Sequence, residues 1–121
     1  MKSRRVRLEG SVDLSSLYIT LEAKRLFQKF CLEEYLFAPP DGKVFPYIRV
    51  LLGSVLEVLP PWYTIPYAKY ARESRFFMGR NWYFVVDKKL EKLRTVFFRR
   101  KGMRRWAKKR GSNSIVLFRD E

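Results

Sequence analysis

The densest run of charged residues in this 121-residue chain lies between Arg99 and Arg110. Eight of these twelve residues are Lys or Arg, none is acidic, and Met103 and Trp106 lie among them. Neutralising phosphates releases counterions, and the guanidinium fork can bridge phosphate oxygens or stack on bases. The run therefore favours contact with RNA. The residues predicted to bind RNA are Arg99, Arg100, Lys101, Arg104, Arg105, Trp106, Lys108, Lys109 and Arg110.

The composition of the whole chain supports the same interpretation. Lys and Arg number 26 against 12 Asp and Glu, which gives a formal net charge of +14. The excess positive charges repel one another, and binding to a polyanionic partner relieves this repulsion. Two alternatives stay open for the basic run, namely a solvated tail and an anionic membrane surface. The apolar stripe beside it is narrow, which weakens the membrane alternative.

The amino terminus carries a second group of cations. The first eight residues contain no acid, and Arg4, Arg5 and Arg7 are predicted to assist in RNA binding. Basic arms bind nucleic acids, but basic segments without acid also occur in organelle-targeting sequences. The sequence alone favours neither interpretation of this arm.

The residue types give little support to catalysis. The chain has no histidine, which removes imidazole as a base and as a metal ligand. Gly79 and Gly102 are isolated, so they form no phosphate-binding loop. Glu33 and Glu34 are adjacent and would not face each other on a helix, and Cys31 fits a small core residue. We therefore predict a protein that is not an enzyme, with no cofactor, no metal site and no small-molecule substrate.

The apolar spacing predicts a mainly α fold, a small domain of three to four helices with extended basic arms at both termini. The clearest helix runs from Leu17 to Phe37, where apolar residues recur at three- and four-residue steps. A second helix is predicted from Pro46 to Leu59, with a strand as the alternative. A third is predicted from Pro66 to Met78, stopped by Gly79.

The rest of the chain is predicted as follows. Trp82–Val86 is expected to be extended, and Asp87 to cap a final basic helix bearing Leu90, Leu93 and Phe97. The domain organisation is predicted as a basic arm over 1–12, a helical body over 13–98 and a basic tail over 99–121. No segment reaches the roughly 20 apolar residues of a membrane span.

A pair of aromatic residues lies between prolines, where Pro61 precedes Trp62 and Tyr63 and Pro66 follows them. Rigid aromatic side chains anchor protein interfaces, but they also fill the corners of cores. Trp62 and Tyr63 are therefore candidate contacts with other subunits of a large complex, with core packing as the open alternative.

The order of several motifs resembles the small-subunit protein 33 family of mitochondrial ribosomes. The motifs are Ser16–Tyr18, Ala23–Phe27, the Trp62-Tyr63 pair, Arg75–Gly79 and the basic end of the chain. Two features depart from the family pattern. The proline expected after Trp-Tyr is Thr64, and Arg80–Phe84 replaces an acidic, histidine-containing stretch.

The resemblance implies a non-catalytic component of the head of the mitochondrial small ribosomal subunit, located in the matrix, with rRNA and ribosomal proteins as partners. The rival hypothesis is an accessory subunit of a respiratory or ATP synthase complex. In that case the apolar segment Val50–Leu59 would face membrane-embedded neighbours.

Overall fold

The architecture is α/β, so the prediction of a mainly α domain is wrong. The computed structural model describes residues 7–59, 74–99, 108–109 and 114–119. Within these ranges two helices pack against a six-stranded mixed sheet, and two further strands form a separate parallel pair. Core residues of the helices and of the sheet form one apolar cluster.

The elements follow each other in a simple order. They are β1 (Arg7–Asp13), β2 (Tyr18–Ile19), α1 (Leu21–Tyr35), α2 (Asp41–Leu52), β3 (Leu56–Leu59), β4 (Ser74–Met78), β5 (Trp82–Asp87), β6 (Lys92–Phe98), β7 (Lys108–Lys109) and β8 (Ser114–Arg119). The sheet order is β2-β6-β5-β4-β3-β7. Strands β3 to β6 form an antiparallel meander, β2 joins β6 in parallel, and β7 joins β3 antiparallel. The separate pair is β1 with β8.

The first predicted helix is confirmed in its central part, as α1. Ala23, Phe27 and Cys31 are buried at four-residue spacing, which places them on one face of the helix. The N-cap is Thr20. The Thr20 hydroxyl accepts a hydrogen bond from Ala23 N at 3.2 Å and donates one to Arg94 O at 2.7 Å, so it also ties α1 to β6.

The second predicted helix is shifted and shortened. Helix α2 starts at Asp41 and contains Pro46 in its interior, so the predicted start at Pro46 is wrong. The chain turns at Gly53–Ser54 and continues as β3, so the strand alternative holds for the end of this segment. Val50–Leu59 is therefore not one apolar helix.

The last two predicted helices are wrong where the structure describes them. Ser74–Met78 forms β4 and Lys92–Phe98 forms β6, while residues 66–73 of the predicted third helix lie outside the described residues. Aromatic and β-branched side chains favour strands because they pack well on a pleated surface. The extended prediction for Trp82–Val86 is confirmed by β5.

Both faces of the sheet are apolar, and β5 contributes to each. Trp82, Phe84 and Val86 belong to the cluster beneath the helices, whereas Tyr83 and Val85 belong to a second cluster. All five are buried. A strand buried on both faces shows a continuous apolar run instead of alternation, which explains the sequence of β5.

The end of α1 carries an unusual backbone conformation. Leu36 has φ 57°, and its N–H donates to Leu32 O at 3.1 Å. Left-handed geometry costs an L-residue about 1 kcal/mol, and glycine avoids that cost. Since Leu36 is 86% exposed, Leu36→Gly is expected to raise the free energy of unfolding by about 0.5–1 kcal/mol.

Urea denaturation measures this change against a matched control. Leu32→Gly makes the same substitution inside α1, where glycine is expected to lower stability by about 1 kcal/mol. A loss of stability from Leu36→Gly would contradict the left-handed helix end.

Candidate nucleic-acid interface

Most residues predicted from sequence to bind RNA or protein lie outside the described residues. These are Arg4, Arg5, Trp62, Tyr63, Arg100, Lys101, Arg104, Arg105, Trp106 and Arg110. For Arg7, Lys108 and Lys109 the structure gives the backbone, and for Arg99 it also gives the side chain.

The backbone positions bring the two basic segments towards each other. Arg7 is the register partner of Ser114 in the pairing of β1 with β8. Lys108 and Lys109 pair with β3 at the edge of the sheet. Ser114 follows Lys109 by five positions in the chain, which limits the distance between their Cα atoms to about 18 Å. The cations at the start of β1 and those of β7 are therefore held within the reach of one extended ligand.

Arg99 contacts the turn between β4 and β5. Its guanidinium donates to Gly79 O and to Arg80 O, and its backbone N–H donates to Asn81 O at 2.7 Å. These bonds join the end of β6 to the turn. The sequence pattern gave no sign of this contact, because Arg99 is simply the first cation of the basic run.

The described residues also contain a surface where exposed lysines lie beside an exposed tyrosine, which sequence reasoning missed. It lies at the opposite edge of the sheet, where β2 pairs with β6 and Tyr18 is the register partner of Lys92. The side chain of Tyr18 is 63% exposed, and Lys88, Lys89 and Lys92 are exposed beside it. We call these four residues the Tyr18 platform. An open cleft of about 750 Å³ runs along it, between Tyr18 and Lys89.

The turn that presents these lysines is organised by Asp87. Its Oδ1 accepts hydrogen bonds from Glu91 N at 2.7 Å and Lys92 N at 2.9 Å. Leu90 adopts φ 60° within the turn and packs against the core. Tyr18 N donates to Glu91 O at 2.9 Å, which fixes the aromatic residue against the turn.

A second carboxylate near the cleft is also used by its own turn. Asp13 Oδ1 accepts from Ser15 N at 3.0 Å and from Ser15 Oγ at 2.7 Å. Ser16 Oγ donates to Oδ2 of the same carboxylate at 3.4 Å. Asp13 and Asp87 therefore stabilise backbone turns. Lys89 and Lys92 line the cleft together with Asp13 and Glu91, so its formal charges balance, and the exposed Lys88 lies next to it in the chain.

An exposed aromatic ring flanked by cations suits single-stranded nucleic acid. Bases stack on the ring regardless of sequence, and the cations follow the phosphates. The spacing of Lys88, Lys89 and Lys92 was visible in the sequence, and a helix would also have grouped them, with Lys88 and Lys92 at i and i+4. What the helical interpretation missed is their place beside Tyr18. Tyr18 lies 74 residues from Lys92, and one sequence alone does not reveal that pairing.

Two further observations concern the helices and Cys31. In the ranges that the structure covers, we find no helix with the length and apolarity of a bilayer span. Burial raises the pKa of the Cys31 thiol, which disfavours the reactive thiolate.

Comparisons of the chain with protein-family models, with characterised proteins and with solved structures gave no match. The resemblance to the ribosomal family therefore depends on its motifs alone. One of those motifs, Arg75–Gly79, was expected at the end of a helix. In the structure it covers most of the strand β4 and the start of the following turn.

Proposed function

We propose that this protein is a non-catalytic RNA-binding subunit of a large ribonucleoprotein. The proposal depends on the Tyr18 platform. Tyr18, which is exposed, is the register partner of Lys92, and two further exposed lysines lie beside them. The formal net charge of +14 supports it. Two further basic positions, Lys108 and Lys109, pair with β3 at the opposite edge of the sheet.

The particle that we propose is the small subunit of the mitochondrial ribosome, in the matrix. The order of the motifs supports this assignment. The strand in place of a helix at Arg75–Met78 weakens it. The protein could therefore bind RNA without belonging to this particle. Nuclease treatment of cell extracts tests the assignment to the ribosome. A ribosomal protein pellets with RNA and is released by nuclease, whereas a subunit of a respiratory complex follows the membranes.

RNA binding is tested on the full chain with a single-stranded oligouridine, by fluorescence anisotropy over a range of salt concentrations. Changing Lys88, Lys89 and Lys92 to Gln is expected to lower the slope of log affinity against log salt by about 2, at roughly 0.7 per phosphate. Tyr18→Ala is expected to weaken binding by about tenfold without changing the slope, since stacking is worth about 1–3 kcal/mol per base.

Lys29→Gln is the matched control, because Lys29 is an exposed cation on α1 away from the cleft. It is expected to leave the salt slope and the affinity almost unchanged, because Lys29 lies outside the proposed phosphate contacts. Equal effects of the triple variant and of Lys29→Gln would refute the platform as the binding surface.

A further inference from the structure

A second cleft adjoins the Tyr18 platform. Leu17 and Tyr18 line the cleft that runs along the platform, and they also line a smaller cleft of about 290 Å³ that reaches Phe45. We call the smaller one the Phe45 cleft. Its volume lies near the lower end of the range for pockets that bind small ligands. Because Tyr18 is shared by the two clefts, a ligand that contacts its ring also has access to the Phe45 cleft.

Most of the lining of the Phe45 cleft is apolar. Leu17 and Val44 are buried, whereas Ile19 and Phe45 are half-buried. The guanidinium carbon of Arg49 lies 4.4 Å from the centre of the Phe45 ring, and this cation–π contact helps to hold the ring in place. Apolar walls of this kind suit a flat, uncharged ring.

Among the described residues that line this cleft, only Lys24 and Asp41 are charged. Lys24 Nζ lies 3.5 Å from Asp41 Oδ2, and Gln28 Nε2 donates a hydrogen bond to Asp41 Oδ1 at 2.8 Å. The hydrogen bond from Gln28 and the charge of Lys24 lower the pKa of Asp41. The carboxylate is therefore ionised and oriented from α1. It can accept further hydrogen bonds, since each of its oxygens has two lone pairs.

This charge pattern suits a nucleobase better than a phosphate. One cation and one anion line the Phe45 cleft, so its formal charges balance, and the carboxylate repels phosphate. In single-stranded RNA, proteins recognise the edge of a base by hydrogen bonds, and a carboxylate accepts from an exocyclic amino group. Adenine, cytosine and guanine each carry such a group. Uracil carries none, and its ring N–H lies between two carbonyl oxygens that a carboxylate repels.

We propose that the Phe45 cleft holds the base next to the one that stacks on Tyr18, and that Asp41 selects bases with an exocyclic amino group. This proposal rests on the RNA binding proposed above and adds a base preference to it. None of the described residues that line the apolar groove between α1 and α2 is charged, so that groove offers no carboxylate to an amino group.

The test compares short oligocytidine and oligouridine of equal length on the full chain, by fluorescence anisotropy at neutral pH. Cytosine and uracil are both single rings that differ at this edge, so a difference in affinity reports on hydrogen bonding more than on stacking. Oligocytidine is expected to bind about fivefold more tightly, a modest preference because Asp41 is exposed to solvent. Tyr18→Ala is expected to weaken the binding of both oligonucleotides, since both stack on the ring.

Asp41→Ala is expected to abolish the preference, because it removes the acceptor. The matched control is Glu34→Ala, which removes the same charge from another exposed acid, outside the lining of both clefts. Each variant is expected to raise the affinity for oligouridine slightly, since each removes one negative charge. Only Asp41→Ala is expected to make the two affinities equal. Circular dichroism verifies that both variants fold.

A free nucleotide carries the same base as a strand, and competition with cytidine monophosphate separates the two sources. The monophosphate is expected to displace oligocytidine only at about a hundredfold higher concentration, because it lacks the neighbouring base on Tyr18. Displacement at the same concentration as unlabelled oligocytidine would assign the cleft to a free nucleotide and overturn the proposal.

Two further results would overturn the base preference. They are equal affinity of the parent chain for the two oligonucleotides, and a preference that survives Asp41→Ala. If Tyr18→Ala still weakens both oligonucleotides in either case, the platform binds RNA and only the base preference fails. Binding of neither oligonucleotide would refute the proposed function and the base preference together.

Discussion

Replacing the basic run with glutamine is expected to release the protein from its particle. The variant changes seven cations, namely Arg100, Lys101, Arg104, Arg105, Lys108, Lys109 and Arg110. Seven phosphate contacts contribute a salt slope of about 5–6, so affinity near physiological salt is expected to fall by about a thousandfold or more. Sedimentation of cell extracts at moderate salt, with immunodetection of the protein, measures the loss.

Arg99 stays unchanged in this variant because it bonds to the carbonyls of the turn at Gly79–Arg80. The control converts each arginine of the run to lysine, which keeps the charge and removes the guanidinium fork. This control is expected to remain largely bound to the particle. It should lose only the affinity that comes from bidentate contacts between guanidinium groups and phosphates. Unchanged co-sedimentation of the glutamine variant would contradict phosphate neutralisation by this run.

Removing the buried carboxylate of Glu57 is expected to give the largest loss of stability. Arg75 donates two hydrogen bonds to it, Nε to Oε2 and Nη2 to Oε1, each at 2.7 Å. The exposed fractions of the two side chains are only 11% for Arg75 and 8% for Glu57. Glu57→Ala leaves the guanidinium buried without this carboxylate, which costs about 3–5 kcal/mol. Urea denaturation followed by circular dichroism measures the loss.

A surface ion pair supplies the comparison. Lys24 and Asp41 lie 3.5 Å apart with the Asp41 side chain 78% exposed, so Lys24→Ala is expected to cost less than about 1 kcal/mol. Removing both partners, with Glu57→Ala and Arg75→Met together, is expected to recover part of the loss. A cost for Glu57→Ala as small as that of Lys24→Ala would show that the pair is solvated.

The parts of the fold that sequence predicted correctly are those with a long local signal. Ala23, Phe27 and Cys31 recur every four residues over more than two turns of α1, and no competing pattern occurs there. The run Trp82–Val86 is rich in aromatic and β-branched residues, which favours a strand. In both cases the pattern arises within one helix or strand and does not depend on a distant part of the chain.

The last predicted helix shows why the rest failed. Leu90, Leu93 and Phe97 are spaced as on a helix, but they serve three different purposes. Leu90 lies in the turn with φ 60°, Leu93 packs beneath the helices, and Phe97 packs on the other face of the sheet. The register shift of β6 opposite Val85–Val86 breaks the alternation that would have marked a strand.

The Tyr18 platform could not be predicted for a related reason. It depends on the parallel pairing of β2 with β6, whose residues are far apart in the chain, and on a turn held by Asp87. The apolar groove between α1 and α2 has the same origin, since Trp82 of β5 lines it together with Phe27 of α1. Residues that the sheet topology brings together from distant parts of the chain leave no local pattern in the sequence.

Ultraviolet crosslinking in intact cells, followed by mass spectrometry of nucleotide-bearing peptides, tests RNA binding most directly. We expect nucleotide adducts on the peptide that contains Tyr18 and on peptides of the basic run, and we expect both to be lost when nuclease removes the RNA before irradiation. Adducts confined to lipid or to other polypeptides, with no nucleotide on either peptide, would contradict it.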